Sequence, residues 1–211
     1  VFVGPDKRLG ECDLRPYKMR IDPRHKPISK RYYPMGPKQK AILEDMIVDM
    51  ENQGIIQRST SPWAAPCLLV AKANNRGYRF VVDYRGINQL IELEATTLPT
   101  TEEALTSVGS SHPTYFTTLD LQSGFYQVAI DPSSTPYTAF RCHLGVWEFK
   151  RLPMGLRNSP ATFQRVMEAV LHGLNWKYCL VYMDDVCIFS PDFDSHLQNI
   201  ESVLQRLSEA G

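Results

Sequence analysis

Asp184 and Asp185 interrupt two apolar runs, Tyr178–Tyr182 and Val186–Ser190, at what reads as the tip of a tight hairpin. Hairpin tips ordinarily carry Asn-Gly or Asp-Gly. Two adjacent carboxylates repel unless a cation or a proton compensates. Asp120 closes a third run, Tyr115–Asp120, with the pattern of a strand that ends on an acid. If that strand lies beside the hairpin, three carboxylates converge. Hard oxygen ligands of this kind suit Mg²⁺, which keeps waters and takes substrate phosphates as further ligands. Two such ions about 3.5–4 Å apart activate an attacking hydroxyl and stabilise the leaving oxygen of an in-line displacement at phosphorus. An Asp-Asp pair by itself decides little, since 12 aspartates in this chain give roughly 0.7 such pairs by chance. On the acids alone, a solvated turn and a metal site stand level.

The elements that would position these acids follow from periodicity. Residues 1–36 hold five prolines and little pattern, and read as extended chain laid over a surface. Gly36-Pro37 opens a helix with the apolar stripe Ile42, Leu43, Met46, Ile47 and Met50, stopped at Gly54. Cys67–Lys72 and Tyr78–Tyr84 read as strands joined through Asn74-Asn75-Arg76-Gly77, with Arg79, Val81 and Asp83 on one face. Residues 92–114 suggest a helix and loops. Thr138–Cys142 and Val146–Arg151 form a second hairpin around Gly145, and Ser159-Pro160 opens a helix with Phe163, Val166, Met167, Val170 and Leu171 inward. A last helix turns Leu197, Ile200, Val203, Leu204 and Leu207 inward. Hairpins without a regular crossover rhythm predict an α+β fold, a largely antiparallel sheet with helices on one side.

Net charge is zero but unevenly spread: residues 1–40 hold 11 Lys/Arg against 4 Asp/Glu, the remainder 12 against 19. A basic N-terminal segment suits phosphate contacts, and a solvated arm fits the charge equally well. Five scattered cysteines argue against a disulfide framework or a zinc knuckle. No run is long enough to span a bilayer, and the charged start lacks the apolar segment of a secretory signal, so an intracellular protein without a membrane partner is expected.

Five ordered blocks carry a resemblance. They are Ser61-Pro62-Trp63-Ala64-Ala65-Pro66, Arg79-Phe80-Val81-Val82-Asp83-Tyr84-Arg85-Gly86-Ile87-Asn88, Thr117-Thr118-Leu119-Asp120-Leu121-Gln122-Ser123-Gly124-Phe125, Leu152-Pro153-Met154-Gly155-Leu156-Arg157-Asn158-Ser159-Pro160-Ala161-Thr162-Phe163-Gln164, and Tyr182-Met183-Asp184-Asp185. Together they resemble the reverse transcriptases, in flavour those of gypsy-type LTR retrotransposons, over about residues 17–211. The resemblance implies an RNA-directed and DNA-directed DNA polymerase: a ferredoxin-like palm plus fingers, acting on an RNA or DNA template-primer with deoxynucleoside triphosphates, as one part of a Pol polyprotein. It implies two Mg²⁺ ions, with Mn²⁺ a potential substitute, held by Asp120, Asp184 and Asp185. Lys72, Arg79, Leu121, Phe125 and Met154 fall on nucleotide positions, and Tyr182, Met183, Gly155 and Pro160 on template or primer positions.

By the same resemblance residues 1–36 form a basic extended segment, 37–114 mainly fingers with part of the palm, and 115–211 palm with a fingers hairpin inserted near 132–152. The thumb and RNase H domain of the family would lie beyond Gly211. Phe125 matches the steric-gate position, where a ring beneath the sugar excludes a 2′-hydroxyl, with Tyr126 its substitute. Met154 departs from the Gln of many retroviral relatives and cannot donate an amide hydrogen bond. Arg20, Arg24, Lys26, Lys30 and Arg31 are candidates for backbone phosphates. The compartment implied is the cytoplasm, a virus-like particle or the nucleus. Rivals are a catalytically silent, domesticated nucleic-acid-binding remnant and an RNA-dependent RNA polymerase, the latter opposed by Phe125.

Overall fold

In a computed structural model, residues 9–12, 14–73, 77–95 and 100–211 are described. In chain order the elements are α1 (Pro37–Asn52), β1 (Ile56–Arg58), β2 (Ala65–Ala71), β3 (Tyr78–Val82), α2 (Arg85–Asn88), α3 (Thr101–Ser110), β4 (Tyr115–Asp120), β5 (Phe140–Cys142), β6 (Gly145–Phe149), α4 (Ser159–Val170), β7 (Cys179–Tyr182), β8 (Asp185–Ser190) and α5 (Phe193–Glu209). Short 3₁₀ turns cover Gly124–Gln127 and Thr135–Thr138. The fold is α+β, as the hairpin pattern predicts. The chain divides into two compact units: Val1–Leu14, Glu94–Gln127 and Pro160–Gly211 form one, Arg15–Leu93 and Val128–Ser159 the other.

In the second unit α1 starts where the sequence places it. Pro37 occupies the first turn, Gly36 precedes it in extended backbone, and Leu43, Ile47 and Met50 are buried. Proline is suited there because its missing N–H would have no helical partner. The sheet runs β1-β6-β5-β2-β3, antiparallel except for the parallel pair β2/β5. Phe80 packs edge to face on Phe140, and Phe140 lies tilted against Phe149, with ring centroids 5.1 and 5.3 Å apart. Each such ring contributes about 1.5–3 kcal/mol when withdrawn from water. Beside them Cys67 on β2 meets Cys142 on β5 without a disulfide between them. The strand β2 starts at Ala65 and β3 ends at Val82, so Tyr84 lies outside the sheet, its hydroxyl donating to the Thr138 carbonyl at 2.8 Å. Residues 74–76, read as part of the joining turn, lie outside the described residues.

Residues 15–30 behave as the extended reading expects. Tyr17 bridges Ile130, Ile21 bridges Ile91 and Ser29 bridges Ala64, and Tyr17 and Met19 are buried. A loosely solvated arm does not describe this stretch.

The first unit is built on the antiparallel sheet β4-β8-β7, with β8 in the centre. Register runs from Tyr115↔Ser190 to Asp120↔Asp185 on one side and from Cys179↔Ile188 to Tyr182↔Asp185 on the other. Successive side chains alternate between faces, so Val181, Val186 and Ile188 sit together in the core. The helix α5 packs on β8 and β4, with Val203 of the predicted stripe fully buried but Leu197 turned out. Leu197 is 51% exposed and His196 only 4%. The His196 ring reaches two hydroxyls, Thr117 Oγ1 at 2.9 Å and Ser190 Oγ at 3.1 Å. Two satisfied ring nitrogens allow burial of this polar side chain at the first turns of the helix.

Candidate active site

Strand register delivers the acids. Asp120, last residue of β4, lies directly opposite Asp185, first residue of β8, and Asp185 lies opposite Tyr182, last residue of β7. Directly opposed residues project to the same face, so Tyr182, Asp185 and Asp120 form one row across the open end of the sheet. Tyr182, Asp185 and Asp120 are exposed and Asp184 half-buried. None of the three carboxylates is in an ion pair with a described residue. Like charges placed directly opposite destabilise a strand pair, so the arrangement carries a cost that a bound cation would relieve. The backbone closes the corner, with Leu121 N–H donating to the Asp184 carbonyl at 3.0 Å.

Convergence of the acids is a matter of register. Among the described residues no group of three or more His, Cys, Asp or Glu side chains is placed to hold a metal ion. The donor set nonetheless fits a hard divalent cation: unpaired carboxylate oxygens, two from opposed positions and one from the adjoining turn.

The turn is held from below. Tyr182 and Asp185 pair, so Met183 and Asp184 alone make the loop, and Met183 sits at φ +54°. A residue carrying a Cβ enters this left-handed region only when its surroundings hold it there. Gln164 on α4, fully buried, does the holding. Its Oε1 accepts the Met183 N–H at 2.8 Å, while its Nε2 donates to the Val181 carbonyl at 3.1 Å and to Glu168 at 2.9 Å. The side chain thus ties the turn residue Met183 to the end of β7. Sequence reasoning missed this role, because a lone Gln within a helix gives no signal of burial.

Phe125 is 7% exposed, its ring stacked on Phe163 with centroids 4.9 Å apart. Contact this close depends on Gly124, where an added Cβ would stand 2.7 Å from the Phe163 ring. Tyr126 is half-buried, and burial pushes its phenol up to about 12.

The second unit carries the remaining positions except Pro160. Val70 pairs with Arg79, and Lys72 follows Val70 by two residues, with its N–H bonded to the Gly77 carbonyl at 2.9 Å. Alternation therefore puts Lys72 and Arg79 on one face of the hairpin, and both are exposed. Met154 is 46% exposed on a loop whose next residue, Gly155, has φ +91°. Asn88 clamps that loop, donating to the Gly155 carbonyl and accepting the Arg157 N–H, each at 2.8 Å. Pro160 lies in the first turn of α4. Of the proposed phosphate-contacting cations, Arg24 is taken up by a bidentate pair with Asp22.

Acids at the open end of an antiparallel sheet, within an α+β fold, suit an enzyme that works on phosphates through divalent ions. A narrower assignment comes from likeness to known proteins. Residues 70–211 match the family described as reverse transcriptase (RNA-dependent DNA polymerase), and the chain belongs to it. It is 39% identical over 188 residues to the retrovirus-related Pol polyprotein from transposon 297 of Drosophila melanogaster, and 34% identical over 191 residues to that of transposon gypsy. These alignments cover 87% and 88% of this chain but 18% of each polyprotein. The prototype foamy virus protease-reverse transcriptase superposes with a TM-score of 0.86 at 32% identity, over 97% of this chain and 27% of that one. Another solved structure, of the foamy viral protease-reverse transcriptase in complex with RNA/DNA hybrid, gives 0.83 at 28% identity, over 97% of this chain and 27% of that one. Reverse transcriptases as a family use divalent metal ions. Among the described residues no helix is long and apolar enough to cross a membrane.

Proposed function

We propose that this chain carries the polymerising centre of a reverse transcriptase, with Asp120, Asp184 and Asp185 as ligands of two Mg²⁺ ions. The observation that supports it most is the opposed pair Asp120/Asp185 beside Asp184, unpaired and on an open sheet end. When bound, the ions would activate the primer 3′-hydroxyl and stabilise charge on the transferring phosphoryl group. The chain's own task is positioning. Gln164 keeps the Met183-Asp184 turn in place, and the Leu121 N–H ties the Asp184 backbone to the end of β4.

Lys72 and Arg79, two cations on one face of a hairpin, suit the triphosphate of an incoming deoxynucleotide, where they would neutralise charge during transfer. Phe125, braced by Phe163, suits a wall beneath the sugar, because a gate must be rigid to discriminate by one hydroxyl. Met154 contributes packing to nucleotide selection, and Tyr182, Met183, Gly155 and Pro160 face template or primer. We assign the β4-β8-β7 sheet to the palm and the five-stranded sheet to the fingers. Base pairing chooses the sequence, so backbone contacts dominate binding and make it steeply salt-dependent.

Primer extension with Mg²⁺ on an RNA template and a DNA primer tests the assignment. Asp184→Asn and Asp120→Asn are expected to lower incorporation on the order of 10³-fold while thermal unfolding stays unchanged. Extension at the wild-type rate by either variant would refute it.

A further inference from the structure

The second unit holds a pair of thiols with no part in the polymerising centre. Cys67 is fully buried and Cys142 is 3% exposed. Parallel register pairs Ala65 with Phe140 and Pro66 with Arg141, so the next step along both strands sets Cys67 beside Cys142. Side chains level with one another on neighbouring strands share a face, and the Cys67 thiol donates a hydrogen bond to the Cys142 sulfur. Neighbouring strands stand about 4.8 Å apart. That lies within the Cα separation of about 4.4–6.8 Å that a disulfide spans.

The two sulfurs are not equivalent. Cys142 ends β5, and main-chain N–H groups of Leu144 and Gly145, in the turn that follows, reach its sulfur. The Arg58 guanidinium is fixed at the same turn, 4.0 Å over the Trp147 ring and donating to the Leu144 carbonyl at 2.7 Å. The bond from Cys67 lowers the pKa of Cys142, burial opposes it, and the turn and Arg58 lower it further. The same bond and burial raise that of Cys67. One sulfur is thus the readier thiolate, the nucleophilic form, and the other keeps its proton beside it. Cys179 and Cys187 make a useful contrast. Cys179 pairs with Ile188 and Leu180 with Cys187, so these two thiols face opposite sides of their sheet. Burial pushes Cys179 up to about 12.

We propose that Cys67 and Cys142 are a reversible oxidation site, a dithiol that hydrogen peroxide closes to a disulfide. The Cys142 thiolate attacks one peroxide oxygen, the O–O bond breaks, and hydroxide leaves to take a proton from solvent. Cys142 is then a sulfenic acid. The Cys67 sulfur attacks the Cys142 sulfur, the S–O bond breaks, and the hydroxyl departs as water with the Cys67 proton. Each sulfur gives up one electron, and the peroxide becomes two waters. Peroxide is small enough to reach a thiol at a strand end that bulkier disulfides cannot. The bond would lock β2, which runs on toward Lys72, to the β5-β6 hairpin.

The test treats the whole folded chain with hydrogen peroxide, quenches with catalase, then unfolds it in N-ethylmaleimide and digests it. Two of the five thiols should escape the label. Mass spectrometry should find the Cys67 and Cys142 peptides joined and lighter by two hydrogens, and dithiothreitol should restore both thiols. A chain unfolded before the peroxide should scatter its links over many pairs. The oxidised chain should melt about 5–15 °C higher, because the link closes a long loop in the unfolded state. In Cys67→Ala the disulfide is lost and the Cys142 sulfenic acid should be captured by dimedone. In Cys142→Ala neither product should form.

Five thiols unchanged by peroxide, or a main product linking any other pair, overturn the proposal. So does a lowered melting temperature, which would mean that the sheet must distort to close the bond. Dimedone on Cys67 in place of Cys142 overturns the order of attack. Should an alanine variant lose its circular dichroism, peptide mapping of the wild-type chain decides by itself. No arm uses nucleotide or Mg²⁺, so the outcome stands apart from the polymerase reading.

Discussion

Replacing Gln164 by Met keeps side-chain length and helix propensity but removes the side-chain hydrogen bonds that hold the Met183-Asp184 turn. Met183 N–H, bonded only to Gln164 Oε1 at 2.8 Å, loses its acceptor, and the Val181 carbonyl loses a donor at 3.1 Å. An unsatisfied buried donor costs about 1–3 kcal/mol. The desolvation of Gln164 is relieved in exchange, so a net loss of about 2 kcal/mol is expected. For a chain of this size that lowers the melting temperature by about 4–8 °C. A larger effect is expected on activity. Met183 stays at its positive φ only while its N–H is anchored, and a turn that relaxes by 1 Å costs on the order of 10²-fold in rate. Urea denaturation and Mg²⁺-dependent single-nucleotide incorporation read the two effects separately. The expected pattern is a large fall in kcat with little change in the KM for nucleotide. A variant within 0.5 kcal/mol of wild type and with unaltered kcat would refute the view that Gln164 holds the turn.

Three more outcomes are expected. Met154→Gln should change the ratio of deoxy- to ribonucleotide incorporation while shifting stability by less than about 0.5 kcal/mol, since Met154 is exposed; kinetics unchanged with both nucleotides count against a role in selection. Gly124→Ala should destabilise by about 1–3 kcal/mol in urea titration, because its Cβ falls 2.7 Å from the Phe163 ring and 3.3 Å from Leu121; a neutral result would mean the Phe125–Phe163 stack gives way freely. The Arg85 guanidinium holds the Asp83 carboxyl well below its ordinary value, with Tyr33 adding a hydrogen bond. A depressed folded value means stability that is present above about pH 4 and lost as pH falls. The gap in melting temperature between wild type and Asp83→Asn should therefore be steady from pH 7 to about 4 and close below it; a gap that widens on acidification would contradict the pairing.

Much of this was legible in the residues because the informative features are periodic or local. The stripe Leu43–Ile47–Met50 and the run Tyr115–Asp120 announce their elements at their observed bounds, and the acid at the end of β4 is visible as an acid at the end of a run. What escaped depends on partners far away in sequence. His196 turns inward in place of Leu197 because Thr117 and Ser190 offer hydroxyls to both its ring nitrogens, and a 3.6-residue period cannot choose between neighbours without knowing that. Gln164 is silent for the same reason: its partners lie on β7 and in the turn. Cys67 and Cys142 are distant in sequence, and only the parallel pairing of β2 with β5 brings their thiols together. Apposition of the acids could be anticipated from strand ends, whereas their side-chain disposition could not.

The chain crosses between its two units four times, so neither can be completed from a continuous stretch. During synthesis β4 emerges long before β8, the only strand it pairs with among the described residues. Ribosomes add about 5–20 residues per second, so Asp120 waits roughly 3–13 s for Asp185. Through that interval the strand bearing Phe116 and Leu119 has no partner along either edge. Chaperone demand should therefore peak in this window, and a ribosome stalled between residues 120 and 185 would display the most aggregation-prone nascent form of the protein.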